Sequence, residues 1–281
     1  MIRWFFSQLW TRSLSDLFYA CLRKLGFSST FNPVPRWCRV IGGPLSGVEL
    51  FMAPEAVDFW AAMGKGDHDS FIFDAIGQRL NSLMEKNCWD IGAHVGYHSM
   101  TFSRMLGPAT KIIAFEPNPD NLRRFENHLQ RNHEFQGKIT ILPFAISDSV
   151  GKASFIFSNQ LESGMSSGSH LACADTPHSH QDYKMFTECE VVTTTIDTLI
   201  ETGFENPSLI KVDVEGSEAA VLRGGSRFIS KFKPFLLIEI HHVLQMLEVS
   251  VMLRDWGYQV VVLDRNNARA GRCFIAAYME T

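Results

Sequence analysis

Residues 88–99 read Cys-Trp-Asp-Ile-Gly-Ala-His-Val-Gly-Tyr-His-Ser, a short apolar strand followed by a glycine-containing turn and a stretch able to form a helix. Asp90 lies near the end of the strand, and Gly92 and Gly96 lack the Cβ atoms that would keep a ligand away from the backbone. A helix that begins here would direct free amide N–H groups at an anion. The same pattern also suits a turn needed only for strand-to-helix packing.

The next apolar segment, Lys111-Ile-Ile-Ala-Phe-Glu-Pro-Asn-Pro, places Glu116 at the end of a second strand, about two dozen positions after Gly92. A carboxylate at this place can accept hydrogen bonds from both hydroxyls of a ribose. Taken alone, Glu116 is equally a surface charge or a helix-start residue. In combination with the glycine turn it indicates a nucleoside site. The spacing Gly-x-x-x-Gly is not the Gly-x-Gly-x-x-Gly of dinucleotide-binding proteins.

Strands and helices alternate from residue 88 onward, which predicts an α/β fold with a parallel sheet covered on both faces. The last two strands are too close together for a helical crossover, so they form an antiparallel pair. The sequence therefore predicts a seven-stranded, mostly parallel sheet whose last strand is antiparallel. Its predicted strands are 88–91, 111–115, 139–142, 208–213, 235–240, 258–263 and 273–278, and its helices are 96–106, 119–132, 217–230 and 243–256.

Residues 1–60 are predicted to form an N-terminal extension, and residues 61–281 a single ligand-binding domain. Within the extension, residues 1–25 carry one apolar helical stripe, which either packs on the domain or lies on a membrane surface. Residues 36–41 and 48–52 predict a hairpin. The segment 158–188, rich in Ser, Gly and His, is predicted to be a lid-like insertion, with a disordered tip as the alternative.

Composition excludes several classes of protein. The chain has 281 residues, 46% of them hydrophobic, and a net charge of −4, which gives no reason to expect nucleic acid as a partner. Its six cysteines are scattered without a Cys-x-x-Cys pair, which favours a reducing compartment and hence the cytoplasm. No apolar run approaches the roughly 18 residues of a membrane span. The oligomeric state stays open.

A second group of chemical residues follows two later strands. Asp213-Val-Glu-Gly-Ser-Glu ends one apolar strand and Glu239-Ile-His-His the next, so their side chains should converge on the edge that carries Glu116. Helix capping is the alternative for Asp213 and Glu239, and Glu218 is expected to be an exposed helix charge. His94 and His98 are expected to lie beside the ligand rather than bind a metal.

Together these motifs resemble the FkbM-like S-adenosylmethionine-dependent methyltransferases over about residues 70–279. The resemblance implies a Rossmann-like class I methyltransferase fold, S-adenosylmethionine as cofactor, and methyl transfer to a hydroxyl of a small molecule or glycan. It rests on the segments WDIGAHVGYHS, AFEPNP, FAISDSVG, TIDTLI, IKVDVEGSEAAVLRGG and LLIEIHH.

The resemblance also implies roles for individual residues. The turn from Asp90 to Gly96 would hold the methionine part of the cofactor, Glu116 its ribose, and Asp148 the adenine region. Asp213 would be both a cofactor-binding residue and a catalytic residue. The further cofactor-binding residues are Gly92, Ala93, His94, Asn118, Ala145 and Ile146, and the further catalytic residues are Glu215, Glu239 and His241.

Methyl transfer from a sulfonium needs alignment of two reactants and removal of one proton. His241 or Asp213 is the expected base, and the expected mechanism is free of metal. A metal held by Asp213, Glu239, His241 and His242 is the alternative not adopted. Two other functions compete: a catalytically silent nucleoside-binding protein on the same fold, and a nicotinamide-dependent oxidoreductase, which the glycine spacing disfavours.

Overall fold

The computed structural model describes residues 34–158, 168–174, 186–265 and 272–280. The predicted helix at residues 1–25 and two parts of the predicted lid, 159–167 and 175–185, lie outside the described residues. The strands are β1 Arg36–Arg39, β2 Glu49–Met52, β3 Cys88–Ile91, β4 Ile112–Phe115, β5 Ile139–Leu142, β6 Phe144–Ile146, β7 Gly151–Ser158, β8 His170–Leu171, β9 Phe186–Thr194, β10 Leu209–Val212, β11 Phe235–Ile240, β12 Gln259–Val262 and β13 Cys273–Tyr278. The helices are α1 Asp58–Lys65, α2 Ser70–Gly77, α3 Leu80–Leu83, α4 Tyr97–Met105, α5 Pro119–Arg131, α6 Ile196–Glu201, α7 Glu218–Gly224, α8 Ser226–Phe232 and α9 Val243–Asp255.

The central sheet has seven strands in the order β12-β13-β11-β10-β3-β4-β5. Strands β11, β10, β3, β4 and β5 are parallel, and β13 lies antiparallel between β11 and β12. The predicted fold class is confirmed. In such a sheet the carboxyl ends of the parallel strands form one edge, where ligands bind.

Side chains alternate between two apolar cores, one on each face of the sheet. Cys88 and Leu209 belong to the core covered by α1, α2, α4 and α5, whereas Trp89 and Ile210 belong to the core covered by α6 to α9. Asp90 and Lys211, which are register partners in β3 and β10, therefore share the first face. Glu239 in β11 shares the parity of Leu237 and lies on that face as well. The alternation thus gathers the charged residues on one side of the sheet.

Local sequence explains where the helices beside the site begin. The side chain of Asn118 accepts a hydrogen bond from the Asp120 amide, and Pro119 occupies the first turn of α5, where a missing N–H costs nothing. Gly96 precedes α4 with φ of 85°, a left-handed conformation that glycine adopts without strain. The turns between strand and helix at the site are thereby fixed.

One predicted helix is divided in the structure. The predicted helix 217–230 is α7 and α8, which meet at Gly225. A Cβ at Gly225 would lie 2.8 Å from Cδ1 of Ile196, so α6 packs directly against the break. Periodicity extends across such a break and does not reveal it.

A second sheet was not predicted. Strands β6, β9, β7 and β8 pair in that order and flank the carboxyl edge of the central sheet. The predicted hairpin is confirmed as β1 and β2, and it packs on α5, where the Phe51 amide donates to Nε2 of His128 at 2.9 Å. Val40, Leu50 and Trp60 belong to the same core as Cys88, so residues 34–60 are packed together with the rest of the domain.

No helix within the described ranges combines the length and the apolar character that crossing a membrane would require.

Candidate active site

A cavity of about 720 Å³ lies at the carboxyl edge of the central sheet. Its volume falls within the range of about 300–1,000 Å³ typical of small-molecule sites. One end is lined by Glu116 and the second sheet, and the other by Asp213 and Glu215 after β10 and by Glu239 within β11. Nine of the predicted site residues line the cavity: Gly92, Ala93, His94, Glu116, Ala145, Ile146, Asp213, Glu215 and Glu239.

The glycine turn is shaped by packing within the protein. Gly92 has φ of 77°, and a Cβ there would lie 1.7 Å from the carbonyl oxygen of Asp213. A Cβ at Gly96 would lie 2.0 Å from the ring of Phe125. The missing Cβ atoms thus make room for the protein rather than for a ligand, which corrects the reason inferred from sequence. Gly92 still lines the cavity, and Gly96 does not.

Asp90 is completely buried beneath the cavity rather than on its surface. Its Oδ2 accepts a hydrogen bond from the Ser99 hydroxyl at 2.5 Å, and its Oδ1 lies 3.3 Å from Nζ of Lys211. Lys211 also donates to the carbonyl of Gly92 at 3.2 Å. Asp90 therefore supports the turn from below and is not among the residues that line the cavity.

Glu116 is buried and faces the cavity with an organised carboxylate. Oε2 accepts from the His94 amide at 2.7 Å, and Oε1 accepts from the Asn118 amide at 2.9 Å. Burial raises the pKa of Glu116 to about 7, and these hydrogen bonds oppose the rise. Nδ2 of Asn121 approaches Oε1 at 3.3 Å, whereas Oδ1 of Asn121 is buried without a hydrogen-bond partner beside the cavity. Glu116 and Asn121 thus offer adjacent acceptors.

Asn118 supports this end of the site without lining the cavity. Its amide holds Glu116, and its Nδ2 donates to the hydroxyl of Ser169 at 3.2 Å. Ser169 belongs to the described part of the predicted lid, so this bond joins the lid to the start of α5. The walls here are apolar and consist of Phe144, Ala145, Ile146, Phe155, Leu171 and Phe186.

Asp148 is not brought to the cavity. Its carboxylate is exposed and lies 3.2 Å from the guanidinium of Arg223 on α7. The resemblance had placed it in the adenine region together with Ala145 and Ile146, which do line the cavity. Asp148 follows Ile146 by two positions, but a turn after β6 carries its side chain outward to the helix.

Asp213 stands between two cations at the end of β10. Its Oδ2 lies 3.2 Å from Nζ of the buried Lys211, and its Oδ1 lies 3.7 Å from Nε2 of His241. Burial alone would raise the pKa of Asp213, but Lys211 and His241 outweigh burial and hold this pKa below its usual value. Asp213 is consequently a carboxylate anion and a weak base.

His241 lies behind the cavity wall, among four carboxylates. Nδ1 is 2.8 Å from Oε1 of Glu218, and Nε2 is 3.3 Å from Oε2 of Glu215 and 3.8 Å from Oε1 of Glu239. Burial opposes a charged imidazole, yet Glu215, Glu218 and Glu239 raise the pKa of His241 to about 10. A histidine protonated at neutral pH cannot accept a proton, so the expectation of His241 as the base is not supported.

Glu218 is fully buried, which contradicts the expected exposed helix charge. Its Oε1 accepts from the Gly216 amide at 2.9 Å as well as from His241. Glu215, by contrast, lines the cavity, and burial raises its pKa to about 7. Glu239 is paired with the Nε of Arg272, and burial beside Asp213 raises the pKa of Glu239 well above its usual value.

Sequence reasoning missed several residues that the fold brings to the site. Lys211 carries a visible signal, a lysine inside an apolar strand, because a buried lysine needs a carboxylate partner. Asn121 carries a local signal as well, because it lies five positions after Glu116 in the first turn of α5. Arg272, His68 and Asp69 have no local signal, since long-range packing places them, and all three line the cavity. His94 was predicted, and its ring stacks on Trp60 with centroids 5.8 Å apart while burial lowers its pKa to about 3.

The fold and the site define a Rossmann-like protein with a nucleoside-type acid after its second parallel strand, two acids after its fourth and one acid near the end of its fifth. The family model described as methyltransferase FkbM domain matches residues 90–260, more than half of the chain. The protein therefore belongs to the FkbM methyltransferase family.

The chain is similar to a methyltransferase of known substrate class and to a methyltransferase of known structure. A hexuronic acid methyltransferase, AglP, of Haloferax volcanii is 30% identical over 170 residues, which cover 59% of this chain and 61% of the relative. The crystal structure of an FkbM methyltransferase from Methylobacillus flagellatus KT superposes with a TM-score of 0.50 at 20% identity, over 69% of this chain and 43% of the other. The chain thus spans less than two thirds of either protein, and the structural likeness concerns the fold.

Proposed function

We propose that the protein transfers a methyl group from S-adenosylmethionine to a hydroxyl oxygen of a small molecule or glycan. The observation that carries this proposal is that the Glu116 carboxylate lies beside the unpartnered Oδ1 of Asn121 at one end of a cavity whose other end holds Asp213, Glu215 and Glu239. The first end would bind the nucleoside of the cofactor, and the second would accept the proton of the hydroxyl. Family membership supports the same reaction class.

The residues present fit the cofactor. Glu116 and Asn121 would accept hydrogen bonds from the ribose hydroxyls, and the apolar wall at Ala145 and Ile146 would receive the adenine. Backbone groups of Gly92 to His94 and the carboxylate of Asp213 would hold the methionine part, whose ammonium needs an anion. When bound, S-adenosylmethionine supplies an electrophilic methyl group attached to a sulfonium.

We assign the proton acceptor to Glu215. It lines the cavity, and its pKa of about 7 lies near neutral pH, where a general base is most effective. His241 acts as a positioning residue, because its Nε2 lies 3.3 Å from Oε2 of Glu215. The imidazolium would stabilise the carboxylate of Glu215 before the proton arrives.

A glycan acceptor is the finer part of the proposal. The Haloferax volcanii relative is a hexuronic acid methyltransferase, which supports an acceptor with sugar hydroxyls. Arg272, half-exposed at the cavity wall, offers a guanidinium that matches acidic or polyhydroxylated groups. The cytoplasm is the proposed compartment, since the six cysteines are scattered along the sequence without a Cys-x-x-Cys pair.

The test incubates pure protein with methyl-labelled S-adenosylmethionine and a panel of sugars, uronic acids and small hydroxylated metabolites. We expect a labelled acceptor, with turnover reduced roughly 10²–10⁴-fold in Glu215→Gln and cofactor affinity retained. Asp148→Ala, an exposed change outside the cavity, is the matched control. Cofactor binding without transfer to any acceptor would instead favour the catalytically silent nucleoside-binding protein.

A further inference from the structure

A second cluster of side chains lies on the cavity wall, away from Glu116 and from His241. It consists of His68 and Asp69, in the loop between α1 and α2, and His98 on α4. Nε2 of His68 lies 3.3 Å from Oδ2 of Asp69, and Nε2 of His98 lies 3.5 Å from the same oxygen. All three residues line the cavity. We name them the His-Asp-His cluster, and the mechanism above does not use it.

The spacing within this cluster matches a metal site. Two ligands about 2.0–2.1 Å from a tetrahedral ion lie about 3.3–3.4 Å from each other. The separations of 3.3 and 3.5 Å agree with this value, and the three ligand atoms all lie within 4.8 Å of one another. Two imidazole nitrogens and one carboxylate oxygen form a donor set suited to first-row transition metals.

An independent observation comes from the nitrogen of His98. This residue is 7% exposed, and its Nε2 is buried without any hydrogen-bond partner while it faces Asp69. A buried polar atom without a hydrogen-bond partner destabilises the fold, so Nε2 of His98 requires a partner that the described residues do not provide. A cation between His98 and Asp69 would supply that partner. The remaining coordination positions would face the cavity.

A rival cluster in the same cavity is a poorer site. Asp213, Glu215 and His241 also have ligand atoms within 4.8 Å. There, however, the ammonium of Lys211 already lies 3.2 Å from Asp213 and would repel a metal ion. In the described part of the chain, the ion pairs of Asp69 are with the two histidines, and Lys211 and Arg272, whose charges lower the pKa of His68, form no ion pair with Asp69.

We propose that His68, Asp69 and His98 bind a divalent first-row transition-metal ion with open positions directed into the cavity. The site goes beyond the proposed methyl transfer and departs from the metal-free expectation, because His68 and Asp69 precede the glycine motif and sequence did not connect them with His98. An ion there would coordinate an acceptor hydroxyl and polarise its O–H bond, which assists removal of the proton.

The experiment measures binding of Zn²⁺ and Co²⁺ to the protein without cofactor or acceptor, so its result is independent of the proposed function. Stoichiometry and affinity come from competition with a chromogenic chelator, and the ligand-field bands of Co²⁺ report nitrogen and oxygen coordination. We expect one ion per chain, with affinity reduced roughly 100-fold or more in His68→Gln and Asp69→Asn. His68 is partly exposed, so its substitution does not disturb the core.

Two controls make the result specific. His133→Gln, at an exposed position that does not line the cavity, should bind the metal ion as the wild type does. Glu215→Gln, which removes one possible ligand from the rival cluster, should also leave the affinity for the metal ion unchanged. The proposal is overturned if no ion binds stoichiometrically, or if Glu215→Gln abolishes binding while His68→Gln does not.

Discussion

Nδ1 of His241 lies 2.8 Å from Oε1 of Glu218, and both side chains are buried. This contact fixes one edge of the imidazole, so the opposite nitrogen is directed at Glu215 and Glu239. The buried carboxylates outnumber the cations around them, and a protonated His241 offsets part of that charge. The main role of His241 is therefore structural: as a cation, it stabilises the carboxylates that surround it.

The first prediction concerns the pH dependence of stability. The pKa of His241 is raised from 6.5 to about 10, so its contribution is fully present below about pH 6.5 and is lost as the pH rises through 10. Near pH 6, His241→Gln should lower the free energy of unfolding by about 3–5 kcal/mol, the cost of breaking a buried ion pair. Urea unfolding of both proteins at several pH values measures the difference. A difference that stays constant up to pH 10 would show that His241 is neutral throughout.

The second prediction concerns the ribose acceptor. Glu116→Ala should weaken binding of S-adenosylmethionine by about 1.5–3 kcal/mol, the scale of hydrogen bonds to a charged group. Isothermal titration calorimetry measures the affinity. Glu126→Ala, on the exposed side of the same helix as Asn121, is the matched control. Unchanged affinity of Glu116→Ala for the cofactor would show that Glu116 does not bind the ribose.

The third prediction concerns Asn121, whose Oδ1 is buried without a partner. Asn121→Ala removes this acceptor and should weaken cofactor binding by about 0.5–1.5 kcal/mol, the net value of a neutral hydrogen bond. The exposed Asn127→Ala on α5 should have no effect. If both variants bind the cofactor as tightly as the wild type does, the acceptor pair proposed for the ribose reduces to Glu116 alone.

The fourth prediction separates steric contact from backbone strain. Gly92 and Gly137 have similar φ values of 77° and 73°, but a Cβ at Gly92 would meet Asp213, whereas a Cβ at Gly137 meets nothing within 4 Å. Gly137→Ala should therefore cost only the left-handed conformation, about 1–2 kcal/mol. Gly92→Ala should cost clearly more. Thermal unfolding measures both, and equal losses would mean that the loop at Asp213 moves freely aside.

The sheet and its order could be predicted because the strands are strongly apolar and regularly spaced. Strand parity could also have placed Lys211 beside Asp90, since the two are register partners. The turn at Gly92 was located correctly, but the reason for its glycine was not. A Cβ there would clash with Asp213, which is 121 positions away and leaves no trace in the local pattern.

Contacts that depend on loop placement could not be predicted. His68 and Asp69 meet His98 because the α1–α2 loop packs over α4, and no periodicity encodes that approach. Glu218 has the position of an exposed first-turn acid, yet tertiary packing buries it against His241. Asp148 shows the opposite error. Its motif suggested a place in the cavity, but an ion pair with Arg223 on α7 holds its side chain at the surface.

The ladder between β7 and β9 runs from Gly151 paired with Thr193 to Ser158 paired with Phe186. This ladder holds the two ends of the intervening segment together. The segment still places Ser169 and Leu171 at the cavity. Exchange of everything between Ser158 and Phe186 with the equivalent piece of another family member is thus a route to re-engineer ligand selectivity while the catalytic scaffold is left intact.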